Sequence, residues 1–359
     1  MSKQYYSLKV SDIREETEDC VSVAFEIPED LRREFDFVEG QYLSVKTELK
    51  GEEVRRSYSI CSSPLSGEHR VAIKKVPGGL FSTYANEVLS VGDTLDIMPP
   101  QGHFFKSIDD KANHHYVAFA AGSGITPVIS ILKATLSKEP DSHFTLFYGN
   151  RKIESIIFRE ELEALKNVYL GRLRVHHVLS REDLGSDWFT GRIDAEKCRF
   201  YLDKLINLEE IDAFFLCGPY DMTMEVKEVL EKVKVSPDCI RTELFFVDAD
   251  KIAKPKREKR TANIATSEAV VQITMDGQTQ QFTMEMDSEA ILNEAVRAGI
   301  NLPFSCKGGV CSTCRAKLEK GEVEMLINYA LENDELERGY VLTCQSLAKS
   351  KEISLNFDA

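Results

Sequence analysis

Apolar and polar residues alternate with a period of two along the first hundred or so positions of the chain. The segments VSVAF, QYLSV and RVAIK show this pattern, and turn-forming residues separate them. Such alternation is typical of strands that bury one face and expose the other. It predicts a β-barrel or a β-sandwich in this part of the chain.

From His115 onward, continuous apolar runs replace the alternating pattern. The runs YVAFAA, FTLFYG, LRVHHVL and AFFLCG are typical of parallel strands that are buried on both faces. Segments of helical periodicity lie between them, namely PVISILKATLSK, FREELEALK and YDMTMEVKEVLEKV. Strands that alternate with helices predict a doubly wound α/β domain.

The third region follows a polar segment rich in Lys and Arg, DADKIAKPKREKRTANIATSE. We interpret this segment as a solvated linker, with a basic docking patch as the alternative. After it, VVQITMDGQTQQFTM predicts a hairpin that turns at Asp276 and Gly277, and EAILNEAVRAG predicts a helix that ends at Gly299. The patterns divide the chain into residues 1–110, 111–248, 249–268 (the linker) and 269–359.

Composition and charge narrow the class of protein. The 359 residues include 45 Lys and Arg against 59 Asp and Glu, a net charge of −14, which argues against nucleic acid as a partner. The segment MSKQYYSLKVSDIREE has no apolar stretch typical of a secretory signal. Glycines and a proline interrupt the most apolar run, so we expect no membrane span. Five of the nine cysteines are isolated, which favours a reducing cytoplasm over a disulfide framework.

The other four cysteines form one pattern. They follow the spacing C-x4-C-x2-C, then 29 residues, then C, which is the ligand pattern of plant-type [2Fe–2S] centres. Structural zinc usually shows two separated C-x2-C pairs, and disulfides would not explain the two glycines in the loop. Gly308 and Gly309 can adopt positive φ, which would turn backbone N–H groups toward the sulfurs. The predicted ligands are Cys306, Cys311, Cys314 and Cys344.

Two segments of the first region are candidate flavin-binding elements. In RRSYSI, the Arg56 guanidinium can pair with a phosphate, Tyr58 can lie on a flat ring and Ser59 can hydrogen-bond a ring nitrogen. In PGGLFSTYANEVL, Gly79 precedes a predicted helix start near Ser82, where free N–H groups attract phosphate. A salt-bridged strand edge and a simple capped turn are the alternatives for each segment alone. Together, the two segments favour a flavin site.

Two strand–turn–helix junctions of the second region are candidate nucleotide-binding elements. In AAGSGITP, Gly122 and Gly124 would allow a pyrophosphate to approach the backbone closely. In FLCGPYDM, Cys217 lies at the carboxyl edge of the predicted sheet, where ligands bind in this fold class, although a buried core thiol is the alternative.

The residues at two further strand ends bear on the choice of nucleotide. A site for NADH often places an acid on the ribose 2′-hydroxyl. Here TLFYGNRK ends with Arg151 and Lys152, and VLSRED offers Ser180 and Arg181. A hydroxyl and cations suit a 2′-phosphate, so we expect NADPH rather than NADH, with a solvated charged loop as the alternative.

In this order, RxYS, GSGITP and CGP resemble the ferredoxin–NADP reductase superfamily, and the C-terminal cysteine segment resembles a plant-type ferredoxin. The resemblance covers essentially the whole chain. It implies a multidomain fold: an antiparallel β-barrel flavin domain, an α/β doubly wound nucleotide domain and a β-grasp ferredoxin domain. It also implies an oxidoreductase that passes electrons from NADPH through FAD and a [2Fe–2S] cluster to a partner oxygenase.

A narrower resemblance concerns the partner. The strings GGVCSTCRAKLEKGEVEM, NYAL and ERGYVLTCQS are similar to the reductase components of phenylacetyl-CoA epoxidases, which are multisubunit di-iron enzymes. The partner so implied is a complex of that kind. Reductases of other oxygenases and of hybrid-cluster proteins share the same modules, and a zinc-containing binding module is the alternative from another class.

The resemblance further implies a role for individual residues. The residues implied to hold FAD are Arg56, Tyr58, Ser59, Gly79 and Ser82. Those implied to contact the dinucleotide are Gly122, Gly124 and Thr126, with Ser180 and Arg181 at the 2′-phosphate. Those implied to act beside the nicotinamide and the flavin are Cys217, Glu243 and Phe245. Catalytic roles are expected for Ser59, Cys217 and Glu243.

Overall fold

The computed structural model describes residues 4–105, 113–245 and 268–359. Contacts within the chain separate two units, Met1–Phe245 and Phe246–Ala359. Except for Glu268, the predicted linker lies outside the described residues. No helix in the described ranges is both long enough and apolar enough to cross a membrane.

The alternating segments of the first region form an antiparallel sheet that closes on itself. Its elements are β1 (Tyr6–Thr17), β2 (Cys20–Glu26), β3 (Tyr42–Leu49), β4 (Glu52–Ser59), β5 (His69–Lys74), α1 (Leu80–Glu87) and β6 (Thr94–Gln101). The strand order is β4-β3-β6-β1-β2-β5, and a bridge between Ile60 and Val71 joins the two ends. The inward positions of the strands, among them Leu8, Val23 and Leu43, are fully buried. The predicted antiparallel barrel is confirmed.

The second region of the same unit is a parallel sheet with helices on both faces. Its elements are β7 (His115–Ala121), α2 (Ile125–Lys138), β8 (His143–Asn150), α3 (Arg159–Val168), β9 (Leu173–Leu179), α4 (Ala195–Lys204), β10 (Ala213–Cys217), α5 (Tyr220–Lys232) and β11 (Ile240–Glu243). The strand order is β11-β10-β7-β8-β9. After β7, the strands β8 and β9 are added on one side of it, and β10 and β11 are then added on the other side. In open α/β sheets, ligands bind where the strand order changes in this way. The predicted doubly wound domain is confirmed.

The C-terminal unit is a mixed sheet with one main helix. Its elements are β12 (Glu268–Met275), β13 (Gln278–Glu285), α6 (Ile291–Arg297), β14 (Arg315–Lys320), β15 (Val323–Met325), α7 (Asn333–Glu337), β16 (Tyr340–Leu342), β17 (Ser346–Ala348) and β18 (Glu352–Asn356). Five strands follow the order β13-β12-β18-β14-β16, and β15 pairs with β17. The β12 and β18 pair is parallel, as in the predicted β-grasp fold. The predicted hairpin turns at Asp276 and Gly277, both of which have positive φ.

Candidate functional site

The two predicted flavin-binding segments lie side by side in the barrel. The Tyr58 ring near the end of β4 lies 5.6 Å from the ring of Phe81 in the first turn of α1. Arg56 lies on the same strand with its side chain exposed, and its Nη1 donates a hydrogen bond to the Arg55 carbonyl. Most of the guanidinium therefore remains available to a phosphate.

At the start of α1, the Gly79 backbone lies very close to the Ser82 hydroxyl. A Cβ on Gly79 would lie 2.5 Å from Ser82 Oγ, so a side chain does not fit at that position. The Ser82 hydroxyl accepts a hydrogen bond from the Val76 N–H at 3.1 Å and holds the preceding loop in place. No side chain caps the N-terminus of α1. Its free N–H groups fit the phosphate-binding role predicted for this turn.

The three predicted catalytic residues meet where the barrel contacts the parallel sheet. Ser59, at the end of β4, donates a hydrogen bond to Glu243 Oε1 at 2.6 Å. Glu243 ends β11 and is paired in register with Cys217 at the end of β10. Strand ends from two separate sheets thus bring a hydroxyl, a carboxyl and a thiol together.

Burial controls the protonation of this group. Burial, partly offset by the hydrogen bond from Ser59, raises the pKa of Glu243 from its ordinary 4.5 to about 7. Burial, and then the charge of Glu243, raise the pKa of the Cys217 thiol well above its usual range. Cys217 is therefore a neutral thiol at physiological pH, and it is also fully buried. Both descriptions given for it from the sequence, a core thiol and a residue beside the site, fit its position.

The glycine-rich loop after β7 packs directly on the end of β10. A Cβ on Gly124 would lie 2.1 Å from the Cys217 carbonyl oxygen, so only glycine fits there. Gly122 has a φ of +53°, and its carbonyl accepts a hydrogen bond from the Tyr148 hydroxyl. Thr126 is buried, and its hydroxyl donates to the Ser123 carbonyl at 3.0 Å. No side chain caps the first turn of α2, but the Ile125 N–H donates to the carbonyls of Gly122 and Ser123 and Pro127 has no N–H, so the glycine-rich loop itself is the candidate contact for a phosphate.

The residues predicted for the 2′-phosphate continue the pairing of β8 and β9 beyond the strands. The N–H groups of Ser180 and Arg181 donate to the carbonyls of Asn150 and Arg151 at 2.9 and 2.8 Å. The exposed guanidiniums of Arg151 and Arg181 have no ion-pair partner in the described ranges. Glu182 is the nearby acid, and its carboxylate accepts a hydrogen bond from the Ile153 N–H.

Phe245 lies two residues beyond Glu243, where the described part of the first unit ends. Its side chain is 39% exposed. The structure therefore places the aromatic residue next to the predicted acid and accessible to a ligand.

All four predicted ligand cysteines belong to the C-terminal unit, although among the described residues no three His, Cys, Asp or Glu side chains are already arranged to hold a metal ion. The sulfurs of Cys306 and Cys311 are 3.1 Å apart, and the neighbouring Cys344, together with burial, raises the pKa of the Cys314 thiol well above its usual range. The thiol of Cys311, assisted by backbone N–H groups and opposed by burial, lowers the pKa of Cys306 to about 6. A loop that stabilises a thiolate in this way fits a [2Fe–2S] centre.

The loop geometry corrects one expectation. Positive φ occurs at Lys307 and Gly309 and not at Gly308. The Gly308 N–H nevertheless donates to Cys306 Sγ at 3.3 Å, as the argument from the glycines required. A Cβ on Gly309 would lie 2.9 Å from the Ile327 carbonyl oxygen, so the second glycine is needed for close packing.

Two residues beside Cys344 were missed from the sequence. The Thr343 hydroxyl donates to the Cys314 carbonyl at 3.0 Å, and the Gln345 side chain donates to the Lys307 carbonyl at 2.9 Å. They tie the loop of three cysteines to the segment that carries the fourth. Their only signal in the sequence is that they flank Cys344.

Three protein-family models match successive parts of the chain. The oxidoreductase FAD-binding domain model matches residues 7–105, and the oxidoreductase NAD-binding domain model matches residues 119–228. The 2Fe-2S iron-sulfur cluster binding domain model matches residues 273–349. The predicted FAD, nicotinamide nucleotide and [2Fe–2S] domains are confirmed, which favours an iron–sulfur centre over structural zinc.

Individual relatives match along nearly the whole chain. A component of the 1,2-phenylacetyl-CoA epoxidase of Escherichia coli (strain K12) is 41% identical over 355 residues, 99% of this chain and 98% of that protein. The ferredoxin reductase component of the 3-ketosteroid-9-alpha-monooxygenase of Rhodococcus rhodochrous is 32% identical, over 98% of this chain and 96% of that protein.

Among solved structures, phthalate dioxygenase reductase superposes with a TM-score of 0.58 and covers 98% of both chains at 22% identity, which supports the fold. The sequence relatives and the three domain matches establish the family. This chain belongs to the oxygenase reductase components of the ferredoxin–NADP reductase type, which combine FAD-binding, NAD-binding and 2Fe-2S domains in one polypeptide.

Proposed function

We propose that this protein supplies electrons from NADPH to a di-iron oxygenase complex that acts on phenylacetyl-CoA. The observation that carries the choice of partner is the 41% identity with the Escherichia coli epoxidase component along 99% of the chain. The reductase of a different oxygenase is the second candidate, because the ketosteroid monooxygenase component is also similar over nearly the full length.

The arrangement of side chains suits the chemistry of the cofactors. When bound, FAD accepts two electrons from a nicotinamide and releases them singly to a [2Fe–2S] cluster. The first turn of α1 and Arg56 would hold the FAD phosphates, and the loop at Gly122 would hold those of the nucleotide. The four cysteines would hold the irons.

The buried Ser59 and the half-buried Glu243 can together hold a mobile proton. With a pKa of about 7, the Glu243 carboxyl is protonated part of the time at neutral pH. The Ser59 hydroxyl lies within hydrogen-bond distance of it, at the end of the predicted flavin strand. The fully buried Cys217 and the tight contact at Gly124 exclude water from the same place.

The preference for NADPH is supported by the exposed side chains of Arg151 and Arg181, whose backbones are joined where the pairing of β8 and β9 continues beyond the strands. Replacing Arg181 with Ala should raise the KM for NADPH about tenfold or more, since a hydrogen bond to a charged group contributes about 1.5–3 kcal/mol. The KM for NADH should change little. Arg199→Ala, on the exposed face of α4, is the matched control. A wild-type protein that prefers NADH would contradict the assignment.

The partner is tested by coupling the protein to a purified di-iron phenylacetyl-CoA epoxidase complex. With NADPH, oxygen and phenylacetyl-CoA, the epoxide should form only when that complex is present. A chain truncated before Ala269 should still reduce ferricyanide with NADPH but should not support epoxide formation. Epoxide formed by the reductase alone, or at full rate by the truncated chain, would refute the proposal.

The truncation also tests the proposed domain boundaries, since it requires residues 1–268 to fold without the ferredoxin domain. We further propose that the protein works in the cytoplasm. All nine cysteines are free thiols in the structure, as a reducing compartment favours.

A further inference from the structure

The helix α2 connects the nucleotide loop to the strand predicted to bind the flavin. It begins at Ile125, directly after the glycine-rich loop. Farther along it, Ser130 Oγ donates to the Ser62 carbonyl at 2.7 Å, and Lys133 Nζ donates to the Cys61 carbonyl at 3.0 Å. Cys61 and Ser62 follow shortly after the end of β4. Two side chains of one helix therefore hold the backbone that continues the flavin strand.

Both bonds are shielded from water. Ser130 is fully buried, and the Lys133 side chain is only 15% exposed. The carbonyls that they engage belong to a fixed part of the barrel, because the Cys61 N–H donates to the Arg70 carbonyl and the Ser62 hydroxyl donates to the Glu68 carbonyl. The two anchors therefore join rigid elements.

Lys133 also contacts the start of α3 and the residue before it. Its Nζ lies 2.6 Å from Glu161 Oε1 on α3 and 5.8 Å from the centre of the Phe158 ring. Phe158 is buried and has a φ of +60°, a conformation that a bulky residue adopts only when its surroundings enforce it. The loop that ends at Phe158 begins with Arg151. One ammonium thus links the segment that follows β4 to α3 and to the end of the loop that begins with Arg151.

The anchor residues on α2 lie close to the glycine-rich loop, and both ends of the connection are tightly packed. Ser130 lies six residues from Gly124, about 9 Å along a helix of 1.5 Å rise per residue. At the other end, Gly124 is packed so closely on Cys217 that even a methyl group does not fit. A displacement at the anchors must therefore be passed along the helix to the nucleotide loop.

We propose that Ser130 and Lys133 are positioning residues, whose bonds to the Ser62 and Cys61 carbonyls set how closely the nicotinamide approaches the flavin. The inference rests on the proposed function, because it requires both cofactors to meet in this unit. Reaction between bound groups falls steeply with small displacements, and about 1 Å can cost a hundredfold in rate. Loss of the anchors should therefore slow flavin reduction more than it weakens binding.

The test uses the full-length, FAD-loaded protein with the substitutions Ser130→Ala and Lys133→Met. Stopped-flow measurement of flavin bleaching against NADPH concentration gives the limiting rate and the nucleotide Kd. Titration of the flavin-free protein with FAD gives the FAD Kd, and thermal unfolding gives Tm. We expect the limiting rate to fall about tenfold or more in each variant, with both Kd values within about twofold of wild type. Lys133→Arg keeps a donor and should recover most of the rate.

Two control variants separate positioning from general stability. Thr135→Val removes a buried hydroxyl of the same helix that bonds only its own helix, to the Ile131 carbonyl. Lys166→Met removes a surface ion pair with Glu163. Neither should change the limiting rate, even where Tm falls.

The outcomes are distinguishable. An unchanged limiting rate in both anchor variants, or a loss of rate matched by an equal loss of FAD or NADPH binding, would overturn the positioning role alone. A wild-type protein that neither NADPH nor NADH reduces would overturn the proposed function and this inference with it.

Discussion

The half-buried carboxyl of Glu243 leads to a prediction about how the stability of the folded protein depends on pH. Its pKa is about 7 in the folded protein and 4.5 in its ordinary environment. The folded state therefore binds the proton more tightly than the unfolded chain does, and the contribution of Glu243 to stability is present below pH 4.5. It is lost progressively as pH rises to 7, because ionisation then requires a buried charge. At ~1.4 kcal/mol per pH unit, the full loss is about 3 kcal/mol.

The substitution Glu243→Gln removes the titration but keeps a side chain of similar size. Relative to wild type, the variant should gain about 2.5 kcal/mol in free energy of unfolding between pH 5 and pH 8. Most contributions of other titrating groups cancel in this difference. The chain has a single tryptophan, Trp188, which stacks on Phe200 in the first unit. Its fluorescence during urea unfolding of the flavin-free protein reports the unit that contains Glu243.

The matched control is Glu231→Gln on the exposed face of α5. Glu231 lies 4.0 Å from Lys227, and solvent screens such a pair. The free energy of unfolding of the Glu231→Gln variant should therefore differ from that of wild type by a nearly constant amount at every pH. If the Glu243→Gln difference also stays constant to within about 0.5 kcal/mol, the carboxyl is not held in a low-dielectric site. The account of Ser59 and Glu243 as a proton-holding pair would then be wrong.

Three further predictions concern the cluster and the nucleotide loop. Serine at any of the four ligand cysteines should abolish or badly weaken cluster assembly, seen in iron content and visible absorption, while NADPH still reduces the flavin; normal cluster spectra in all four variants would contradict the ligand assignment. Gly124→Ala should reduce NADP+ binding in difference spectra much more than Gly122→Ala does, because only the first substitution forces a Cβ onto Cys217; equal effects would argue against this reason. Gln345→Ala should speed cluster loss in air by freeing the loop at Lys307, and unchanged cluster lifetime would show that the bond is dispensable.

The elements predicted best from the sequence are those with strong local signals. The run LRVHHVL forms β9 over the same residues, Leu173–Leu179, and the hairpin turns at Asp276 and Gly277, where the chemistry of the turn residues decides. Helix α4 was not predicted. Its buried residues include Cys198 and Tyr201, and the Tyr201 ring stacks 4.4 Å from that of Phe147. Phe147 belongs to a strand about fifty residues earlier in the chain. No local sequence pattern near α4 therefore predicts this contact or the helix that it stabilises.

Long-range contacts in the predicted flavin and nucleotide site were even harder to predict from the sequence. The resemblance placed Ser59 and Glu243 beside a flavin, but nothing in the sequence indicated that they bond each other across 184 residues. The bonds of Ser130 and Lys133 to the barrel could not be predicted either. Their partners are backbone carbonyls, which every residue has, so no residue type in the sequence marks them. Glycines, by contrast, were informative, since Gly79, Gly124 and Gly309 each sit where a Cβ would collide with the chain.

The residues expected at the hydride-transfer site and those expected to hold the cluster differ in how far they are shielded from solvent, and the difference suits their roles. Glu243 and Cys217, where the two-electron step is expected, are enclosed by strand ends from two sheets, and exclusion of water there protects reduced cofactor from side reactions. Three of the predicted ligand cysteines are buried in the C-terminal unit, whereas Cys306 is partly exposed. Its thiolate is stabilised by the hydrogen bond from the Cys311 thiol and then by backbone N–H groups of the loop, and neither depends on solvent. A partly exposed residue supported in this way can face a partner protein without losing the environment that keeps it ionised, whereas a thiolate stabilised by solvent would lose that environment on docking.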